Sequence, residues 1–154
     1  MTNYQKIRAA IEAPLLTAFN SQTPSIPVYF DNVTSVPPDP PSEYVRVNVT
    51  FGLMQSAALS QNLDSAQGAV IVRCFSEKGG GPARCQELIE IAALVLKAIA
   101  SSSKEEGSVF VRTGPITGPS FEALNVEQIE PGYASSSPHF MGRISANWKA
   151  IVPC

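Results

Sequence analysis

One histidine, three cysteines and a triple-glycine turn are the places where this sequence has the residue types for catalysis or cofactor binding. His139 follows Pro138 at the start of a strand-like segment, where a general base would need a nucleophile and an orienting acid within reach. The sequence shows no recognised arrangement of that kind around it. Cys74, Cys85 and Cys154 lack paired metal-ligand spacing, and their odd number reads as reduced thiols in a protein made in the cytosol. Cys74 falls in a strand and Cys85 on an apolar helix stripe, which makes both core residues; Cys154 is terminal, and exposure alone does not lower a thiol pKa. Gly79-Gly80-Gly81-Pro82-Ala83-Arg84 stands between a strand and a helix, where exposed amides could hold phosphate. It lacks the Gly-Lys-Ser/Thr ending of a phosphate loop and the spaced glycines of a dinucleotide fold, so it reads as a permissive turn with Pro82 in the first helical turn.

The acidic residues are scattered and form no metal-binding loop; Glu105-Glu106 reads as a turn pair. Asn32-Val33-Thr34 and Asn48-Val49-Thr50 match a glycosylation pattern, but no secretion signal precedes them. Arg46, Arg73, Arg112, Arg143 and Lys149 are carried by strands, and alternation along each strand suggests that their faces differ. Eleven Lys plus Arg against thirteen Asp plus Glu give a net charge of −2, which argues against a broad electrostatic footprint for DNA. A local ring of positive charge built by assembly stays compatible with it.

The elements that must position these residues centre on 68–100. A strand-like Ala69–Phe75 leads through the glycine turn into a helix-like Arg84–Ala100, where Cys85, Leu88, Ile89, Ala92, Leu96 and Ile99 recur at helical spacing on one face. On the other side Leu94 stands among Glu87, Glu90 and Lys97, flanked by Ile91 and Ala98. This is either a lone apolar residue on a wet face or a helix covered on both sides. An earlier helix runs from Thr2 or Asn3 to Ala18 with Ile7, Ile11, Leu15 and Phe19 on its buried face; Pro14 predicts a kink or a restart. A short extended piece, Ile26–Phe30, precedes a proline-rich arm or loop at about 31–42, which cannot be an interior strand.

Glu43–Leu53 alternates, with Val45, Val47, Val49, Phe51 and Leu53 facing one way. The polar stretch 54–67 predicts a flexible loop. After the long helix come a turn at 101–107, a short strand Ser108–Arg112, a turn-rich passage 113–119, a weak strand Phe121–Ile129, and a long final strand His139–Val152 that pairs with it as a hairpin. Trp148 and Phe140 share one face of that last strand and read as core. The order predicts a single α+β domain over 1–154: a twisted, mostly antiparallel or mixed sheet with two α-helices packed on one face. No apolar run reaches the length of a membrane crossing, and the N-terminal residues do not form a signal-peptide core.

These features together resemble the tail terminator, or tail completion, proteins of long-tailed bacteriophages. The likeness rests on the amphipathic start, Ile7 to Phe19; on Ile26-Pro27-Val28-Tyr29-Phe30-Asp31-Asn32; on the Tyr44–Phe51 strand after the proline-rich arm; and on Gly68-Ala69-Val70-Ile71-Val72 leading to the glycine turn, the long helix and the long last strand. It spans nearly the full chain as order and local pattern. The proline run and the triple glycine depart from the family.

The resemblance implies a virion structural protein: a ring, commonly hexameric, that caps the tail tube, stops its growth and offers a surface for head joining. Its partners would be further copies of itself, the tail tube protein and a head-tail connector or neck protein. Genomic DNA would pass non-specifically through the channel. No cofactor, metal, membrane or catalytic residue is implied, and the protein would sit at the head-proximal end of the tail after synthesis in the host cytoplasm. Ile91, Leu94 and Ala98, with Val36, Pro37, Pro38, Pro40 and Pro41 of the arm, are candidates for the subunit contact; the five strand-borne cations are candidates for the channel wall. Other readings are a head-completion or connector ring of the neck, a small enzyme with an unrecognised site, and a non-viral peptide- or protein-binding domain.

Overall fold

The computed structural model describes residues 2–22, 25–31, 43–58, 63–77, 83–101, 104–106, 109–124 and 139–153. The proline arm from residue 32, the glycine turn 79–82, the segment 125–138 and Cys154 lie outside the described residues. Helix α1 (Asn3–Asn20) and strands β1 (Val28–Tyr29), β2 (Tyr44–Ala58) and β3 (Leu63–Glu77) are followed by helix α2 (Ala83–Ser101) and strands β4 (Lys104–Glu106), β5 (Val109–Leu124) and β6 (His139–Pro153). They form the expected α+β arrangement, a sheet of order β1-β2-β3-β6-β5-β4 with both helices against one face.

Thr2 starts α1 with a capping box: its hydroxyl accepts from the Gln5 backbone at 3.2 Å while Gln5 Oε1 accepts from the Thr2 backbone at 2.7 Å. Pro14 does not break the helix. An interior proline costs about 3 kcal/mol, but Ile7, Ile11, Leu15 and Phe19 lie on both sides of it and are fully buried, each contributing about 1.5–3 kcal/mol. Packing therefore overrides the local penalty.

β1 runs parallel to β2, with Val28 opposite Val45, so the pair cannot be closed by a tight turn. A parallel pair requires a longer crossover connection between its strands. The remaining pairs, β2–β3, β3–β6, β6–β5 and β5–β4, are antiparallel.

Three expectations are overturned. Residues 54–58 and 63–67 belong to β2 and β3 and extend their hairpin. Their polar letters carry little strand propensity, but β3 is central, and β6 holds its first half through pairs such as Ser65 with Ile151 and Gln67 with Lys149. The passage 113–119 is also strand: β5 continues through it by register shifts between Thr113 and Ile116 and between Thr117 and Ser120, which absorb Gly114-Pro115 and Gly118-Pro119. Gly118 takes φ of 101°, open to glycine at little cost. Lys104–Glu106, expected as part of a turn, pairs with β5 as an edge strand.

The core lies between helices and sheet. All six stripe residues of α2 are buried, together with Val45, Val47, Val49, Val70, Val72, Cys74, Ile144, Ala146, Trp148, Ala150 and Val152 from one face of the strands. Leu53 departs from its predicted side. The irregularity between Phe51 and Met54 turns it outward, where it is exposed. On the opposite sheet face Tyr44, Phe75 and Met141 form a small second cluster, with the Tyr44 and Phe75 rings stacked at 4.5 Å.

Candidate functional site

Register decides where the five strand cations go. Arg46 pairs with Arg73 and Arg73 with Arg143, so three arginines stand side by side across β2, β3 and β6. Six residues along β6, Lys149 pairs with Gln67 on one side and Arg112 on the other. Partners in antiparallel register share a face, so all five lie on the side of the sheet that carries no helix among the described residues. The expectation that their faces differ is corrected here: alternation within a strand does not say how one strand is phased against the next.

Like charges directly opposite one another destabilise a sheet. Arg73 is half-buried, and its pKa lies below the ordinary guanidinium value through burial first, then the charges of Arg143 and Arg46. Its Nη1 donates to Asn48 Oδ1 at 2.8 Å. No ion pair among the described residues involves Arg73, Arg112, Arg143 or Lys149.

Asp31, which sequence reading placed at the start of the arm among the scattered solvated acids, instead ties this face to α1 around the β2 edge. Its carboxylate accepts from Asn48 Nδ2, from the Val49 backbone at 3.0 Å and from Arg8 Nη1 at 2.6 Å. Burial works to raise the Asp31 pKa, yet the bonds from Arg8, Val49 and Asn48 outweigh it and hold the group below its ordinary value. A carboxyl with a depressed folded pKa gives stability that is complete above the unfolded value of about 3.9 and lost as pH falls through the folded one. Asp31→Asn is expected to lower unfolding free energy by about 1.5–3 kcal/mol at neutral pH, the range for hydrogen bonds with a charged partner. The difference should shrink in urea titrations repeated at about pH 3.

Among the described side chains no catalytic arrangement forms. Cys74 and Cys85 are both buried free thiols. Burial, and then Cys85, push Cys74 well up; burial pushes Cys85 up to about 11, against opposing bonds from Ser76 and Gly142, so both stay protonated at neutral pH. Gly142 makes room for Cys85 and Ile89: a Cβ there would come within 2.8 Å of the Cys85 sulfur and 2.7 Å of Ile89. The His139 backbone pairs with Glu77 and Leu124. Among the described residues no group of three or more His, Cys, Asp or Glu could hold a metal ion.

Besides Tyr4 and Leu16 on α1, exposed large apolar side chains among the described residues fall in two places. Leu94 on α2 is 60% accessible, with Ala98 exposed and Ile91 partly buried beside it. The arm candidates Val36, Pro37, Pro38, Pro40 and Pro41 lie outside the described residues. On the helix-free face Leu53, Phe110 and Ile151 are exposed and, with Gln67, Arg112 and Lys149, line a depression of about 580 Å³. Phe110 and Ile151 lie on the cationic face by parity; Leu53 reaches it only through the strand irregularity, so only register could have found this cluster.

Architecture and surfaces together define a two-layer α+β domain with one sheet face under helices and the other cationic and largely free of them. No family model and no curated protein matches the chain. A solved structure whose name states no function is similar to it, with a TM-score of 0.64 and 22% identity over 97% of this chain and 96% of that one. That likeness shows a shared fold. Among the described residues no helix is long and apolar enough to cross a membrane.

Proposed function

We propose that this chain is a virion assembly protein of the tail-completion type: a ring, hexameric in the simplest form, that caps a tail tube, ends its elongation and presents a joining surface to a neck or connector protein. The observation that carries the reading is a domain with two apolar surfaces on opposite sides. Leu94 projects from the helix layer, while Leu53, Phe110 and Ile151 project from the far side of the sheet. Unlike patches on opposite sides of one subunit suit head-to-tail contacts, which close into rings when the rotation between neighbours permits. The work of such a protein is fit, with no substrate turned over, and the Arg46-Arg73-Arg143 row, six residues along β6 from the Leu53, Phe110 and Ile151 patch, supplies cations for a channel wall.

Electron microscopy of the purified chain, alone and mixed with tail tubes, tests the reading. Annuli of uniform subunit number, and added density at the head-proximal tube end, are expected. Solitary particles in both samples would overturn it.

A further inference from the structure

We propose that the two apolar surfaces of this chain are the two halves of one contact: the outer stripe of α2, centred on Leu94, seats in the depression lined by Leu53, Phe110 and Ile151 on a second copy. The inference deepens the ring reading by naming which surface meets which, and it rests on that reading only for closure. Three observations carry it.

The first is the stripe. Glu87, Glu90, Leu94, Lys97 and Ser101 are exposed and follow one another at three- and four-residue spacing, so they form a line down the side of α2 that faces away from the core. Leu94 is the apolar centre of that line, with a carboxylate one turn before it and an ammonium one turn after. Glu87 is held by Arg84 at 3.0 Å, whereas Glu90 and Lys97 enter no ion pair among the described residues.

The second is the order of charge in the depression. Phe110 pairs with Ile151, and two residues along the same strands Arg112 pairs with Lys149, so an apolar pair stands beside a cationic one. Like charges directly opposite one another weaken a sheet, and a carboxylate brought over Lys149 relieves that cost. Register places Glu105 opposite Phe110 on β4, with β5 between it and β6. The sheet therefore runs cation, apolar, anion where the helix runs anion, apolar, cation. The spacings agree as well. Strands about 4.8 Å apart, rising about 3.4 Å per residue, put the Lys149 and Glu105 positions about 12 Å apart. At about 1.5 Å per residue, Glu90 and Lys97 are about 10.5 Å apart along the helix axis.

The third observation selects the partner. The inner stripe of α2 is buried against the other side of the same sheet, so stripe and depression lie on opposite sides of one subunit and cannot meet within a chain. Each finds its complement on another copy, and a subunit that uses one of each makes a heterologous contact able to repeat. The arginine row, six residues away along β6, stays outside it.

The experiment mixes two half-blocked chains. Leu94→Glu spoils the helix side and keeps the sheet side; Ile151→Glu does the reverse. By gel filtration with light scattering each alone should have the mass of a single chain, and an equimolar mixture should give twice the 16.4 kDa of one chain, because the one intact contact joins two copies and cannot propagate. Should Ile151→Glu fail to fold, Lys149→Glu, at an exposed position, serves as the sheet-side change. Charge tests the pairing: Glu90→Lys and Lys149→Glu should each abolish assembly, and the two together in one chain should restore it. Full assembly of either half-blocked chain alone, a mixture that stays at the mass of one chain, or a charge-swapped chain no better than the single changes would overturn the proposal. Native rings that survive both half-blocking changes defeat this inference alone; a mixture that pairs while the native chain grows into open filaments defeats the ring alone.

Discussion

Trp148→Ala is expected to lower unfolding free energy by about 3–5 kcal/mol, a large share of the roughly 5–15 kcal/mol that holds a domain of this size together. The ring is fully buried between sheet and helices, its Nε1 donates to the Ala69 carbonyl at 3.3 Å, and it meets Phe51 edge-on at 5.3 Å. Phe51 is in turn met edge-on by Tyr4 at 5.2 Å and covered by the Arg8 guanidinium at 5.4 Å, so the indole anchors a short aromatic ladder from sheet to α1. Removing it leaves a cavity that the surrounding strands cannot collapse into.

Gly68 is the other half of this joint. It pairs with Trp148, and a Cβ there would come 2.7 Å from the indole Cζ2 while colliding with the Thr50 carbonyl. Gly68→Ala should be strongly destabilising by itself. Combined with Trp148→Ala it should cost less than the sum, because one collision has gone and the backbone one remains. Urea denaturation of the four proteins measures the coupling; strict additivity would contradict the close packing described.

The second large effect concerns assembly. Leu94→Glu should leave the stability of the isolated domain within about 0.5 kcal/mol, because the residue is mostly exposed and away from the core. If α2 meets a neighbouring subunit, the same change puts a carboxylate where an apolar anchor stood. The loss of about 2 kcal/mol or more expected for such an anchor corresponds to roughly thirtyfold in each contact, repeated round the ring. Light scattering after gel filtration should show the assembled mass give way to that of the single chain, and Leu94→Met should retain it. An assembled mass unchanged by Leu94→Glu would remove this helix face from the contact.

Propensity and periodicity, which are local, made much of the architecture legible. The α2 stripe is buried in full, the alternation of β6 separates core from surface, and Trp148 and Cys74 occupy the core positions that their patterns assigned them. Errors arose where distant residues overrule local signals. Pro14 stays within a helix because four large side chains around it are buried. The Gly-Pro pairs at 114–115 and 118–119 read as turns because a single strand carries no information about a partner able to absorb an extra residue. Polar 63–67 read as loop because its strand character comes from β6, far along the chain.

The sequence by itself determined the order of most elements, the apolar faces of the helices and of the regular strands, the absence of a recognisable catalytic motif, and the oddness of Leu94. Tertiary structure alone decided that Arg46, Arg73 and Arg143 form one row, that Arg112 and Lys149 share their face, that Leu53 joins Phe110 and Ile151, and that Asp31 clamps the β2 edge to α1. The physical reason is register: side chains alternate along every strand, but the hydrogen-bond ladder between strands sets which residues stand together, and a shift of one residue would reverse each face.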